Sequence, residues 1–150
     1  MRKVISIFGI MFLILVFVVG GLFAYFSSQG SKLDASSKSF VDEVIPVIIS
    51  TWSKEIILKH SSQQMRQTAA EAQLDLLLKK VSILGQLLDY KTANGEALIS
   101  FTKNGKMVTA NYSVKARFQN GLAEINIRLI QYKGAWEILG FQIESPLFLK

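Results

Sequence analysis

Two small groups of polar side chains are the candidates for catalytic chemistry in this chain. Asp89 directly precedes Tyr90, and a carboxylate beside a phenol can serve as base and oxyanion donor when a desolvated pocket surrounds the carboxyl. Asp89 also precedes Lys91 at an element boundary, where a solvated turn carboxylate is the usual state. His60, the single histidine, falls at the predicted end of a short helix, where such a side chain commonly acts as a cap. We therefore expect no catalytic residue.

Aromatic side chains are the candidates for ligand binding. Trp52, Tyr112 and Trp136 are predicted to point inward, and with Asp89 and Tyr90 they could line a pocket for a small molecule. Aromatic rings also dominate ordinary cores, so the two interpretations stay open. A ligand site requires a cavity that reaches Tyr112 and Trp136.

Several other chemistries are excluded by residue type and spacing. The chain has no cysteine, so it has neither disulfides nor a thiolate metal site, and its core alone must hold the fold. No glycine-rich phosphate loop follows a predicted strand, and no His, Asp or Glu set has metal-ligand spacing. The formal charge is +6, but Arg2 and Lys3 supply two of these charges and the others are scattered, unlike a nucleic-acid-binding surface. We expect no metal, no cofactor and no nucleic-acid partner.

An apolar run from Val4 to Phe26 precedes all of these residues. It contains no charge, and as a helix it would be roughly 34 Å long, enough to cross a hydrocarbon core of about 30 Å. Since Arg2 and Lys3 come before it, the positive-inside rule places the N-terminus in the cytoplasm. We expect residues 1–26 to be a single-pass anchor that contacts lipid in the inner membrane, with the remainder in the periplasm or outside the cell.

The alternative for this run is a cleaved secretory signal peptide. A signal peptide has an apolar region of about 7–15 residues that ends in small residues, whereas this run is longer and ends in Tyr25 and Phe26. Aromatic rings concentrate at the membrane–water interface. Ser28-Gln29-Gly30 is the best cleavage candidate and fits poorly, so the uncleaved anchor is favoured.

Helices are predicted for the first half of the remaining chain. The polar, serine-rich residues 27–38 predict a tether, which leads into a domain over residues 39–150. Apolar spacing from Phe40 to Thr51 predicts a helix with a kink or a late start at Pro46.

Capping residues predict two further helices. Ser53 can cap a short turn over residues 54–59, and Thr68 with Glu71 has the spacing of a capping box. The helix after this box ends at Gly85, a natural C-terminal stop. Its predicted apolar side consists of Ala72, Leu76, Leu77, Val81 and Leu84.

The second half of the chain has the two-residue period of β-strands. Apolar and polar residues alternate from Val108 to Phe118, which indicates an antiparallel strand with one buried face. Turn signals at Asn104-Gly105, Asn120-Gly121 and Lys133-Gly134 predict a meander of about four strands, to which residues 87–91 add a short one. The predicted fold class is α+β, with two to three helices packed on a curved antiparallel sheet.

These turns also predict strand registers, because apolar residues should face each other across each hairpin. The predicted pairs include Phe118 with Ala123, Arg117 with Glu124, Phe101 with Val108 and Ile99 with Ala110. In the last strand Phe141 has the opposite parity to Trp136. We therefore predict a β-bulge near Leu139-Gly140, in which Gly140 adopts unusual backbone angles. This bulge would pair Phe141 with Ile127 and Ile143 with Ile125.

Three large apolar residues interrupt the polar pattern on the outward face of the sheet: Ile130, Tyr132 and Leu139. Exposed clusters of this kind mark partner sites. The alternative is that the C-terminal segment Pro146–Leu149 folds over them.

The order of helices followed by a meander that closes with Gly134-Ala135-Trp136-Glu137-Ile138-Leu139-Gly140-Phe141-Gln142-Ile143 resembles the nuclear transport factor 2-like superfamily. The resemblance covers residues 38–146 and implies a cone between sheet and helices, in which enzymes of that superfamily place an Asp, His or Tyr. The superfamily also includes transport factors and periplasmic domains of single-span secretion scaffolds, so the fold does not select a function.

From the anchor and the missing catalytic set, we expect a non-enzymatic envelope module that binds another envelope protein or itself as a homodimer. One alternative is small-molecule binding, or an isomerase- or dehydratase-like activity, in the cone. The other is a subunit of a secretion-system scaffold.

Overall fold

The computed structural model describes residues 2–68 and 71–149, and the chain divides into two units, Met1–Leu33 and Asp34–Lys150. Helix α1 covers Arg2–Thr51. In the first unit every described side chain from Met11 to Tyr25 is exposed. By its length and composition this helix could span a membrane.

The second unit is α+β, which confirms the predicted class, and its sheet has five strands instead of about four. All strand pairs are antiparallel. Helices α2 to α4 cover Lys54–His60, Gln63–Thr68 and Glu71–Val81, and 3-10 turns cover Ser82–Leu84 and Pro146–Leu149. Strands β1 to β5 cover Leu87–Tyr90, Asn94–Thr102, Gly105–Phe118, Gly121–Tyr132 and Ala135–Glu144.

Strand β3 is the centre of the sheet. It pairs with β4 on one side, and on the other side with β2 along its first half and β1 near its end. Strand β5 forms the far edge, where the backbone amide of Ser62 donates to the carbonyl of Ile138 at 2.8 Å. The α2–α3 junction therefore occupies part of an edge that would otherwise offer unpaired backbone groups.

The part of α1 that belongs to the second unit fills the inner side of the sheet. Five of its apolar side chains are at most 7% exposed: Val41, Val44, Ile45, Ile48 and Ile49. Pro46 lies inside α1, so the helix does not start late there. Burial of its neighbours offsets the hydrogen bond that proline cannot donate.

Two predicted helix boundaries are confirmed. The side chain of Ser53 caps α2 by accepting a hydrogen bond from the amide of Ile56, and Gly85, with φ of 76°, ends the 3-10 turn after α4. The predicted capping box includes residues 69–70 and lies partly outside the described residues. The hydroxyl of Thr68 donates to a carbonyl of its own helix at 2.8 Å.

The buried side of α4 agrees with the prediction only in part. Leu76 is 67% exposed, whereas Leu74, Val81 and Leu84 are at most 5% exposed. Val81, seven positions after Leu74, returns to within about 20° of it around the helix, whereas Leu76 lies about 200° away. Of the predicted apolar side, Val81 and Leu84 are buried as expected and Leu77 is half-buried, whereas Ala72 and Leu76 are exposed.

The predicted registers of the first two hairpins are wrong by two residues. Phe118 pairs with Gly121, not with Ala123, because Gln119 and Asn120 form the loop. Asn120 is held there by two hydrogen bonds, from its backbone to Leu84 at 3.0 Å and from its side chain to Ile83 at 2.8 Å. An even shift preserves the faces of the sheet. The pairs observed include Ala116 with Ala123, Lys115 with Glu124, Ile99 with Val108 and Phe101 with Lys106.

Backbone geometry explains the shift in the β2–β3 hairpin. Gly105, with φ of 107°, is the first residue of β3 and closes the loop, instead of being the second residue of a two-residue turn. Of the three predicted turns, only Lys133-Gly134 has positive φ at both central residues, 50° and 84°, which is the type I′ geometry expected from such a signal.

The bulge in β5 is confirmed. The register of β4 with β5 changes between Arg128 and Leu129, which places Phe141 against Ile127 and Ile143 against Ile125. Gly140 is not among the glycines with positive φ, so the prediction of unusual angles there is wrong. The bulge instead leaves a position without a side chain on the outer face.

Candidate functional site

Tyr112 and Trp136 attach α1 to the sheet. The hydroxyl of Tyr112 lies 2.8 Å from the hydroxyl of Ser37 and donates to the carbonyl of Asp34 at 3.3 Å. The indole of Trp136 donates to the hydroxyl of Ser36 at 2.9 Å. Tyr112 and Trp136 are 3% and 8% exposed. Both side chains are thus used in packing the helix, and the residues predicted to form a tether supply their partners.

Trp52 and Tyr90 carry buried polar atoms without a protein partner, the indole nitrogen and the phenol oxygen. Trp52 adopts a φ of 48° at the end of α1 and stacks on Phe118 with ring centroids 6.2 Å apart. Burial, and then the charge of Asp42, raises the pKa of Tyr90 to about 12. The phenol of Tyr90 is therefore neutral at physiological pH and cannot act as an anionic base.

Asp89 lies on β1 opposite Arg117, and the groove that it lines includes neither Tyr112 nor Trp136. Asp89 lines this open groove of about 1000 Å³ together with residues of the C-terminal 3-10 turn. The groove has mixed charge, because it combines Lys80, Lys91, Lys115 and Arg117 with Asp89, Glu124 and Glu144 over an apolar floor. Asp89 is exposed, which is the state of a solvated carboxylate and not of a desolvated base.

His60 contacts the aromatic ring of Phe40 edge to face, with centroids 6.1 Å apart. It is the last residue of α2, as predicted. Among the described residues no group of three or more His, Asp or Glu side chains could hold a metal ion.

Ile130 and Tyr132 lie on the outer face with two apolar residues that the sequence analysis did not select, Leu98 and Met107. Leu98 and Ile130 both flank Thr109 in one row across β2, β3 and β4. Tyr132, Leu98 and Met107 are 61%, 45% and 39% exposed. These four residues are called the distal patch; Leu139 is half-buried in the bulge of β5.

The C-terminal segment does not cover the distal patch. Ser145 donates a hydrogen bond to the carbonyl of Leu122 at 2.8 Å, and the side chain of Leu147 packs beside Gly121. Gly121 is the first residue of β4, about 30 Å along the strand from Ile130 at about 3.4 Å per residue. The alternative that Pro146–Leu149 folds over Ile130, Tyr132 and Leu139 is therefore wrong.

Sequence analysis also missed the groove around Asp89, because its walls come from four strands, α4 and the C-terminal turn. Only the register of β1 with β3, Asp89 opposite Arg117, brings these charges together. Comparison with known proteins adds no assignment, since no family model, curated protein or solved structure matches the chain.

Proposed function

We propose that this protein is a non-enzymatic interaction module of the bacterial envelope, anchored in the inner membrane by one helix, with its α+β unit in the periplasm or outside the cell. The distal patch is its contact surface for another envelope protein or a second copy. The observation that carries the proposal is an uncovered apolar surface in which Tyr132 is 61% exposed and Leu98 45% exposed. Apolar surface of this kind is retained where a partner buries it.

The contacts of Tyr112 and Trp136 favour this proposal over small-molecule chemistry in the cone. A ligand beside these two residues would have to displace the hydroxyls of Ser36 and Ser37 and separate α1 from the sheet. The helix order, the bulge in the antiparallel sheet and the closing β5 phrase also support the proposal of a nuclear transport factor 2-like fold.

Site-specific photocrosslinking tests the distal patch. A photoreactive phenylalanine analogue at Tyr132 should give a discrete crosslinked product in intact membranes. The same analogue at Lys115, exposed on the same face but outside the patch, is the matched control. When the photoreactive analogue is placed at Met107, Tyr132→Glu should abolish the crosslinked product. Burying an unpaired charge in an apolar contact is costly, because the charge loses its water. Equal products from positions 132 and 115, or none, would refute the patch as an interface.

The chain contains no cysteine, so single introduced cysteines test the membrane orientation. Lys133→Cys, in the β4–β5 turn, should react with a membrane-impermeant maleimide in intact spheroplasts, whereas Lys3→Cys should react only after lysis. Labelling of Lys3→Cys from outside would reverse the proposed orientation. A native polypeptide whose mass begins near Ser31 would replace the anchor by a cleaved signal peptide.

A further inference from the structure

A second surface on the outer face consists of uncharged hydrogen-bonding side chains. Asn94, Ser113, Asn126 and Gln142 are paired residue to residue across β2, β3, β4 and β5. These four residues are called the polar row. They line a shallow cavity of about 690 Å³ together with Asn111, Arg128 and Gly140.

Arg128 is the only charged residue in the described lining of this cavity. It lies between Asn111 on β3 and Gly140 on β5. The bulge in β5 places Gly140 there, and a Cβ at this position would lie 4.0 Å from a guanidinium nitrogen of Arg128. Among residues 2–68 and 71–149, no carboxylate forms an ion pair with Arg128. The guanidinium therefore keeps its donors for a ligand.

The spacing of the polar row selects the class of ligand. Neighbouring strands are about 4.8 Å apart, so a chain that crosses the strands meets one hydrogen-bonding side chain at each such step. This distance is close to the length of one sugar unit in an extended oligosaccharide. An extended peptide repeats the same side every two residues, about 6.6 Å, and does not match the row.

The chemistry of the row agrees with this spacing. Side-chain amides both donate and accept hydrogen bonds, as sugar hydroxyls do. Ser113 donates to Glu124 at 2.6 Å, which leaves its oxygen free to accept. A single unpaired guanidinium favours one carboxylate on the ligand.

From these observations we infer that the polar row and Arg128 form a binding site for a carboxylate-bearing oligosaccharide that runs across the strands. Asn126 and Gln142 hydrogen-bond the sugar hydroxyls, and Arg128 binds the carboxylate above Gly140. The site shares no residue with the distal patch, so this inference does not depend on the proposed protein partner.

The test uses the full chain in detergent micelles, with tetragalacturonate as the probe and its methyl ester as the uncharged control. Titration followed by NMR of the Asn and Gln side-chain amides should shift the signals of Asn126 and Gln142. Arg128→Gln should weaken tetragalacturonate binding about tenfold or more, since a hydrogen bond to a charged group is worth at least one factor of ten.

Matched variants separate a local effect from loss of the fold. Arg117→Gln removes the same charge from the same face outside the cavity and should change affinity less than about twofold. Gly140→Leu keeps the charge but fills the space beside the guanidinium, and should weaken binding as Arg128→Gln does. Circular dichroism should be unchanged in all three variants.

Any one of several results would overturn the inference. One is the absence of amide shifts at a 10-fold molar excess of millimolar probe, and another is equal affinity for tetragalacturonate and its methyl ester. The inference would also fail if Arg128→Gln and Arg117→Gln lost the same affinity, or if the peptide acetyl-Ala-Ala bound as tightly as tetragalacturonate. Monomeric galacturonate should bind more weakly than the tetramer, because it reaches one step of the polar row. Equal affinity for monomer and tetramer would also contradict the inference.

Discussion

Removing the hydroxyls that join α1 to β3 tests whether Tyr112 is an architectural residue or part of a ligand site. The perturbations are Tyr112→Phe, Ser37→Ala and the double variant. Ser37 is fully buried and Tyr112 is 3% exposed, so water cannot replace the lost partners. The carbonyl of Asp34 accepts from either hydroxyl, at 3.2 Å from Ser37 and 3.3 Å from Tyr112.

The expected magnitude follows from counting protons. The two hydroxyl groups carry one proton each, so they can donate two hydrogen bonds in total among Ser37, Tyr112 and the Asp34 carbonyl. Either single substitution removes one proton, and the remaining hydroxyl still donates to Asp34. Each single variant should thus lose about 1 kcal/mol of unfolding free energy, not the larger cost of an orphaned buried donor. The double variant should lose about 2 kcal/mol, with coupling close to zero.

Both tryptophans, Trp52 and Trp136, belong to the second unit, so their fluorescence reports the unfolding of that unit in the full chain. A loss of about 1 kcal/mol corresponds to about 4 °C in melting temperature for a domain of this size. A loss near 3 kcal/mol for one single variant would refute the shared acceptor. Unchanged stability would refute the architectural role and return Tyr112 to the ligand-binding candidates.

Three further predictions concern the backbone and one buried phenol. In Gly95→Ala the new Cβ would overlap the carbonyl oxygen of Asn111 and lie 2.7 Å from the Cα of Tyr112. We therefore expect a loss of about 3 kcal/mol in the free energy of unfolding. A loss below about 1 kcal/mol would contradict the close approach of β2 to β3. Gly105→Ala, at φ of 107° with open space around it, should lose about 1–2 kcal/mol from backbone strain alone, measured in the same melts; no loss would contradict the positive φ. Since the pKa of Tyr90 is raised from 10.0 to about 12, the unfolded state releases this proton first, so stability is full below pH 10 and falls between pH 10 and 12. Because the side chain is partly exposed, the stability lost over this pH range is about 1 kcal/mol. Tyr90→Phe should remove this part of the fall in unfolding free energy with pH, and an unchanged dependence on pH would refute the raised pKa of Tyr90.

Features that depend on period or on a single local capping group could be predicted from the sequence. The faces of β3, β4 and β5 follow the two-residue alternation, and the bulge follows from the parity change between Trp136 and Phe141. Ser53 and Gly85 act through backbone geometry within a few residues. Such signals need no knowledge of the tertiary neighbours.

The register of the β3–β4 hairpin could not be predicted, because it depends on contacts that are distant in sequence. The position of the β3–β4 loop is fixed by hydrogen bonds from Asn120 to Ile83 and Leu84, which no local pattern reveals. The same limit applies to the candidate sites. Asn94 and Gln142 belong to no binding motif in the sequence, and only the paired strands bring them into one row.

The different roles that we propose for the two faces of the sheet follow from the packing of α1. The inner face is occupied by helix residues that are at most 7% exposed, and the polar atoms of Tyr112 and Trp136 are bonded to that helix. A ligand that used this face would have to replace a core, at a cost comparable to the stability of the unit. A ligand on the outer face would not have to replace core contacts, because the polar row and the distal patch contribute little to the core. We therefore expect any binding by this unit to use the outer face of the sheet, and not the inner face that α1 occupies.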